Sequence, residues 1–455
     1  MQVPRPVAAL REAVDTAARR SPARLTLVAF AGIVGVVTAL LSTPAATSDG
    51  HRAPFVDALF TATSAVCITG LTTVDTGSYW SGFGQAVIIS GVWVGGLGVM
   101  TLASLLGMAV SRRIGLTQRL LAAPEVGSRG LGEVGSLIRV VVLTSLTIQS
   151  AIALLLVPRF LVDESAGRAV WHGVFYAVSA FNNAGFVPTT EGLAPYASDW
   201  WVCAPLMLGV FIGALGFPVI HDLARRGWRP RRLTLHSKLT VVTSLALLVG
   251  TTLLIGSFEW SNPATLGGLG VGERLLRALF MGVMPRSGGF ATVDVAHMHE
   301  SSWLLTDASM FVGGGSASTA GGIKVTTFAV LLLAIVSEAR GDRDMEAFGR
   351  RIPRESLRLA VAVAIVGAVM VMVATTALLE ITGEPLDRVL FETVSAFATV
   401  GLSTGLTPEL PESGKYVLSA LMFAGRTGTI TLAAALAMRD RRRVIRYPEE
   451  RPIIG

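Results

Sequence analysis

The chain has little charge. Asp, Glu, Lys and Arg make up 15% of its 455 residues, against roughly 25% in soluble globular domains. Hydrophobic residues reach 51% and mean hydropathy is +0.60. So little polar surface excludes a string of water-soluble domains and points to a multi-spanning membrane protein built as one helical bundle. Cysteine is scarce too. Cys67 and Cys203 are the only two, both in apolar text, which excludes a disulfide framework and a thiolate metal site and leaves two small buried hydrophobes. No G-x-S-x-G, no H-E-x-x-H and no paired carboxylates within apolar runs occur. An intramembrane hydrolase therefore lacks its constellation, and no enzyme activity is expected. No G-x-G-x-x-G follows a strand pattern, so any nucleotide control must come from a partner.

What the chain has is long apolar runs. They read as spans near 25–43, 84–110, 137–157, 201–222, 238–256, 303–336, 357–379 and 414–438, each able to cross about 30 Å of hydrocarbon. Eight spans leave both termini on one side. Of the 38 basic residues, 28 fall on that side, in the N-terminal tail, 111–139, 224–238, 337–358 and the tail after 438. This bias places both termini in the cytoplasm, with the chain multi-pass in the cell membrane. The net charge of +7 is thus a topology signal, which removes nucleic acid as a partner and leaves membrane lipid. Arg5, Arg11, Arg19, Arg20 and Arg24 precede the first apolar run, so no cleaved leader is expected. Residues 7–20 read equally as a surface-lying amphipathic helix or a solvated tail.

The outer connections share one text. They read APFVDALFTATSAVCITGL (53–71), AVWHGVFYAVSAFNNAGF (169–186), GERLLRALFMGVMPRSGGF (272–290) and EPLDRVLFETVSAFATVGL (384–402). Each starts polar, runs through a phenylalanine (Phe60, Phe175, Phe280, Phe391) and reaches a glycine (Gly70, Gly185, Gly289, Gly401). The spacing is ten residues in three copies and nine in the third, which implies a deletion or a different turn there. The apolar stretches are too short to span. A short helix followed by irregular backbone is tolerated at membrane depth only beside a watery cavity. The expected fold class is therefore all-α, with four parallel span–pore helix–span repeats around a central pseudo-fourfold pore. Repeats 1 to 4 cover 25–111, 135–225, 237–337 and 357–440, between cytosolic segments 1–24 and 441–455. An inverted-repeat secondary transporter would need halves of opposite orientation, whereas all four units enter from one side.

Glycine turns there can aim successive carbonyl oxygens at one axis, where they replace the water around a cation. The candidate ion-binding residues are Cys67, Ile68, Thr69 and Gly70; Asn183, Ala184 and Gly185; Ser287, Gly288 and Gly289; and Thr399, Val400 and Gly401. A dehydrated cation would sit at their carbonyls, and the short helices would point their negative ends at it. Ordinary extracellular turns are the competing reading, weakened by four copies at matching places.

The sixth apolar run is too long for one span and contains GGGSASTAGG at 313–322, where helix is disfavoured. Gly313, Gly314, Gly315, Ser316, Ala317, Ser318, Thr319, Ala320, Gly321 and Gly322 read as an intramembrane loop under the filter, and so as a candidate gate. A small-residue packing surface is the alternative. Lys324 follows and could snorkel to the interface. Arg426 lies mid-span, where charge is costly; it either raises a barrier to cations and holds the loop closed, or simply satisfies loop carbonyls. Arg286 is expected to brace the third turn by bonding to carbonyls.

Other polar groups carry blander readings. His297, His299 and Glu300 form HMHE, an outer loop without further converging ligands. Asp75, Glu191 and Asp294 follow filter turns and are read as turn residues before ion attractors. Asn182 and Asn183 either offer carbonyls to the filter or hold the second short helix. GVWVGGLGVM (91–100) reads as helix packing.

The motifs CITGL (67–71), FNNAGF (181–186), PRSGGF (285–290), ATVGLSTG (398–405), GGGSASTAGGIK (313–324) and FAGRTGTITL (423–432) resemble the Trk/Ktr/HKT superfamily of potassium transporters, most closely its KtrB-type membrane subunit. The resemblance spans about 25–440. It implies potassium uptake, a homodimer, and a cytosolic ring of RCK-type nucleotide-binding regulatory subunits (KtrA-like). It implies that loop 313–322 blocks the pathway and moves on opening, with the arginine matched by Arg426 nearby. It also implies that glycine at position 70 favours potassium, where serine goes with sodium permeation. Ser287-Gly288 replaces a commoner Thr-Ala, and Cys67 is unusual beside a filter. No covalent cofactor is implied; K+ is the substrate ion and Na+ a candidate modulator.

Overall fold

The computed structural model describes residues 22–119, 132–227 and 229–438. The helix considered over 7–20, the tail 441–455 and the basic residue Arg129 lie outside the described residues.

The described chain is helical almost throughout. In order the helices are α1 (Pro22–Leu41), α2 (Phe55–Cys67), α3 (Gly82–Arg119), α4 (Gly132–Asp163), α5 (Ala166–Phe181), α6 (Trp200–Leu215), α7 (Phe217–Arg226), α8 (Leu235–Glu259), α9 (Val271–Val283), α10 (Glu300–Phe311), α11 (Val325–Arg340), α12 (Arg354–Thr382), α13 (Leu386–Phe397), α14 (Leu406–Glu409) and α15 (Glu412–Met438). One tight hairpin, β1 (Glu346–Ala347) and β2 (Arg350–Arg351), interrupts the basic connection before α12. Phe348 and Gly349 make its turn with φ of 51° and 72°, the positive values that two-residue hairpins require.

Among the described residues, four segments are long and apolar enough to cross a membrane by themselves: Gly82–Thr101, Ile138–Asp163, Leu235–Glu259 and Arg354–Thr382. Two expected spans differ in detail. The one read at 201–222 is broken at Gly216, with a 99° bend between α6 and α7. Gly216 has φ 89° and ψ 150°, a conformation open mainly to glycine, and Pro218 restarts the helix in its first turn. The run at 303–336 is two helices, α10 and α11. Between them the chain is irregular, pinned at its mouth by a parallel bridge between Val312 and Ile323.

The short helices α2, α5, α9 and α13 have a common build. Each opens after an extended residue (Pro54, Ser165, Gly270, Pro385). Each buries its phenylalanine, with Phe60, Phe175, Phe280 and Phe391 at 1% exposure or less. At 12 to 16 residues they are only about 18–24 Å long. Packing around them is cyclic. Helix α3 lies on α5, α6 on α9, α10 on α13, and α15 on α2. The succession closes on itself, and the ends of the four short helices meet inside it.

Candidate ion pathway

Each short helix ends in the same turn. Two residues before each glycine the backbone enters the left-handed region, at Ile68 (φ 61°), Asn183 (59°), Ser287 (67°) and Thr399 (47°). The glycines follow at 89°, 69°, 71° and 95°. Positive φ is costly for the β-branched Ile68 and Thr399, so the turn is held by its surroundings. In the first, second and fourth copies it is stapled twice. The residues at 68, 183 and 399 donate to carbonyls three back, and those at 69, 184 and 400 to carbonyls five back.

A serine completes these three turns. Ser64 Oγ accepts from the Gly70 amide at 3.0 Å, and Ser395 Oγ from the Gly401 amide at 3.1 Å. Ser179 Oγ donates to the Phe186 carbonyl at 2.8 Å. The sequence reading missed these residues, although Ser-Ala stands six residues before the glycine in each of these copies. The third copy has Val283 there. Its Gly288 amide turns to the Met284 carbonyl, only four back, at 2.8 Å. The one-residue shortening thus falls between helix and turn, and the left-handed step before Gly289 is kept.

The four glycines adjoin one another in chain order. A Cβ built on Gly70 would approach the Gly185 Cα within 3.1 Å; on Gly185, the Gly289 Cα within 2.8 Å; on Gly289, the Gly401 Cα within 3.4 Å; and on Gly401, the Gly70 Cα within 3.1 Å. It would also run into the Ala184 carbonyl oxygen from Gly70 and the Thr69 carbonyl oxygen from Gly401. Only backbone fits. Such a ring presents carbonyl oxygens without side chains, and the four helices ending at it add the negative ends of their dipoles. Both features suit a cation stripped of water.

The residues 313–322 lie against the ring on the side where the helices end. Thr319 Oγ1 donates to Asn183 Oδ1 at 2.6 Å and lies 3.3 Å from the Phe181 carbonyl. The Gly321 amide meets Ser287 Oγ at 3.3 Å. The other side of the loop fits the break in the fourth run. Gly315 donates to the Ala214 carbonyl at 2.7 Å, and Phe217 to the Ala317 carbonyl at 3.2 Å. A Cβ on Gly216 would lie 2.5 Å from the Ser316 carbonyl oxygen. Gly213 and Gly216 are a second group that sequence reading missed; their signal is the spaced glycines of GVFIGALG (209–216).

Arg426 and Lys324 both reach loop carbonyls. Arg426 Nη1 donates to the Thr319 carbonyl at 2.5 Å. Lys324 Nζ does not snorkel but folds back onto the Ala320 carbonyl at 2.7 Å. Arg286 corrects an expectation. Its guanidinium is buried, and its Nε, Nη1 and Nη2 have no hydrogen-bond partner among the described residues. The third turn is braced by Asn183 instead, whose Nδ2 donates to the Arg286 carbonyl at 3.2 Å and the Val210 carbonyl at 3.1 Å. Cys67 lies buried at the end of α2, and GVWVGGLGVM packs Gly95 against the Val66 carbonyl.

The remaining candidates serve their own turns. Asp75 Oδ2 accepts from the Ser78 amide at 2.8 Å. Asp294 Oδ1 accepts from the Ala296 amide at 3.0 Å, and its Oδ2 pairs with His297 Nδ1 at 2.8 Å. Among the described residues no three His, Cys, Asp or Glu side chains converge as metal ligands.

Known proteins share this architecture. A family profile, TrkH, described as a cation transport protein, matches residues 9–443. The Ktr system potassium uptake protein B of Bacillus subtilis is 36% identical over 96% of this chain and 97% of its own length. The potassium/sodium uptake protein NtpJ of Enterococcus hirae is 33% identical over 96% of this chain and 98% of its own length. The crystal structure of the potassium transporter TrkH from Vibrio parahaemolyticus shares the fold, with a TM-score of 0.73 at 17% identity, covering 91% of this chain and 84% of that one. A cation transporter rather than an enzyme, the chain belongs to the TrkH family of cation transport proteins.

Proposed function

We propose that this protein takes up potassium through the ring of glycine turns. In this reading eight spans form four parallel repeats around a pseudo-fourfold pore, with both termini in the cytoplasm. The carbonyls of 67–70, 183–185, 287–289 and 399–401 replace the hydration shell of K+. Residues 313–322, with Lys324 and Arg426, close the pathway below them. Two copies assemble in the plasma membrane, and a cytosolic nucleotide-binding ring controls opening.

The observation that carries the reading is the mutual approach of Gly70, Gly185, Gly289 and Gly401, where a Cβ on any one would meet the next. The name of the Bacillus subtilis relative supports potassium as the ion and a multi-component system. A second reading, a sodium-permeable or poorly selective transporter of the same fold, is favoured by the name of the Enterococcus relative.

The test is cation flux into liposomes holding the purified protein alone. Potassium flux well above sodium flux, with the preference lost in Gly70→Ser, supports the first reading. Equal fluxes select the second. No cation flux in folded wild type and in folded Arg426→Ala alike removes both.

A further inference from the structure

We infer that Thr319 and Asn183 couple the intramembrane loop to the geometry of the ring, so that releasing the loop loosens the turns that would bind the ion. This rests on the reading of the ring as an ion pathway and adds a positioning role for two side chains.

The four turns place Ile68, Asn183, Ser287 and Thr399 at one equivalent position. Asn183 and Ser287 reach the loop with their side chains, and each also holds a carbonyl of the next turn. Asn183 Nδ2 donates to the Arg286 carbonyl of the third turn. Ser287 Oγ donates to the Thr399 carbonyl of the fourth. The same two groups accept from the loop, Asn183 Oδ1 from Thr319 Oγ1 and Ser287 Oγ from the Gly321 amide. The orientation of the Asn183 amide is fixed by its partners. Two carbonyls face one end, so that end is the donor and the other must accept.

Asn183 and Ser287 are fully buried. When Thr319 withdraws, Asn183 Oδ1 is left buried without its donor, an arrangement that proteins avoid. The amide then loses the bond that fixes its oxygen end, and its remaining bonds to the Arg286 and Val210 carbonyls hold the third turn less rigidly. Departure of Gly321 likewise frees Ser287 Oγ from one of its two partners. The seated loop therefore favours the tight ring. By reciprocity, an ion that favours the tight ring favours the seated loop.

The experiment compares wild type, Thr319→Val and Thr319→Ser in liposomes. Valine keeps the shape and leaves the backbone carbonyl to Arg426, but removes the hydroxyl. Thr319→Val is expected to raise potassium flux and to raise the half-saturating potassium concentration about fivefold, the range of one buried hydrogen bond. Thr319→Ser is expected to restore both. Raised flux at unchanged half-saturation, or no change in either, overturns the coupling. A second measurement needs no variant. Amide hydrogen exchange over 313–324 in wild type is expected to be slower in potassium than in choline, and equal exchange overturns the coupling. If wild type carries potassium but exchange is unaffected, the coupling alone falls. If neither wild type nor folded Thr319→Val carries potassium, the underlying reading falls with it.

Discussion

Arg426 Nη1 sits 2.5 Å from the carbonyl oxygen of Thr319, 107 residues away in sequence. Both residues are at least 98% buried. The contact makes the guanidinium a clasp on the loop. On the proposed pathway it would also set a fixed positive charge near the ring, opposing transit of a cation by repulsion.

Arg426→Ala should therefore speed potassium flux. A hydrogen bond to a charged group contributes roughly 1.5–3 kcal/mol, which corresponds to a tenfold or greater increase if the loop's seating limits flux. Arg426→Gln, which keeps a donor without the charge, should fall between. Liposome flux rates decide the matter, and an unchanged rate in a folded Arg426→Ala protein would refute the clasp.

Lys415 Nζ lies 2.7 Å from Asp57 Oδ1, with both side chains largely buried. The pair joins α15 to α2, the contact at which the cyclic packing closes. Breaking a buried pair by removing one partner costs about 3–5 kcal/mol. Asp57→Ala should lower the thermal midpoint in detergent. The swapped variant Asp57→Lys with Lys415→Asp should recover most of the loss. Equal midpoints for wild type and Asp57→Ala would mean that packing alone closes the ring.

Glu392 on α13 gathers the segment that follows the fourth turn. Its Oε1 accepts from Ser403 Oγ at 2.6 Å, the Thr404 amide at 2.8 Å and Thr404 Oγ1 at 3.1 Å; Oε2 accepts from Thr407 Oγ1 at 2.5 Å. The carboxylate is wholly buried. Glu392→Gln keeps the volume but sets an NH2 group against donors. Loss of such a charged acceptor costs roughly 1.5–3 kcal/mol. The thermal midpoint should drop, and exchange of the 402–407 amides should rise. A variant that preserved both would show that the segment is held by its own turns.

Much of this arrangement was legible because glycine is informative. Gly70, Gly185, Gly289 and Gly401 recur at one place in a repeating text, and each meets the next in space. The phenylalanines Phe60, Phe175, Phe280 and Phe391 recur in the same text, and each is buried. The turn geometry was less legible, since nothing about Ile68 announces a left-handed backbone, which tertiary surroundings impose. The role given to Arg286 failed for a similar reason. Its neighbour in space, Asn183, lies 103 residues earlier and braces the third turn in its place. The 201–222 run read as one span because its break rests on a single residue, Gly216, whose purpose is visible only once the loop 313–322 is packed against it.

That break yields the last prediction. Gly216 holds φ at 89° and ψ at 150°, a region nearly closed to residues with a Cβ, which pay about 1–3 kcal/mol to enter it. The added methyl would also press on the Ser316 carbonyl oxygen and crowd the Ser318 amide at 3.2 Å. Both are loop backbone, so the strain can be relieved by pushing the loop away from α6. Gly216→Ala should therefore destabilise the seated loop and raise potassium flux by up to about tenfold. Ala214 accepts the Gly315 amide through its backbone carbonyl, so Ala214→Ser keeps that bond and serves as the neighbouring control. If Gly216→Ala lowers flux instead while the protein stays folded, the bend positions the ring rather than the loop, and the gate must be sought elsewhere.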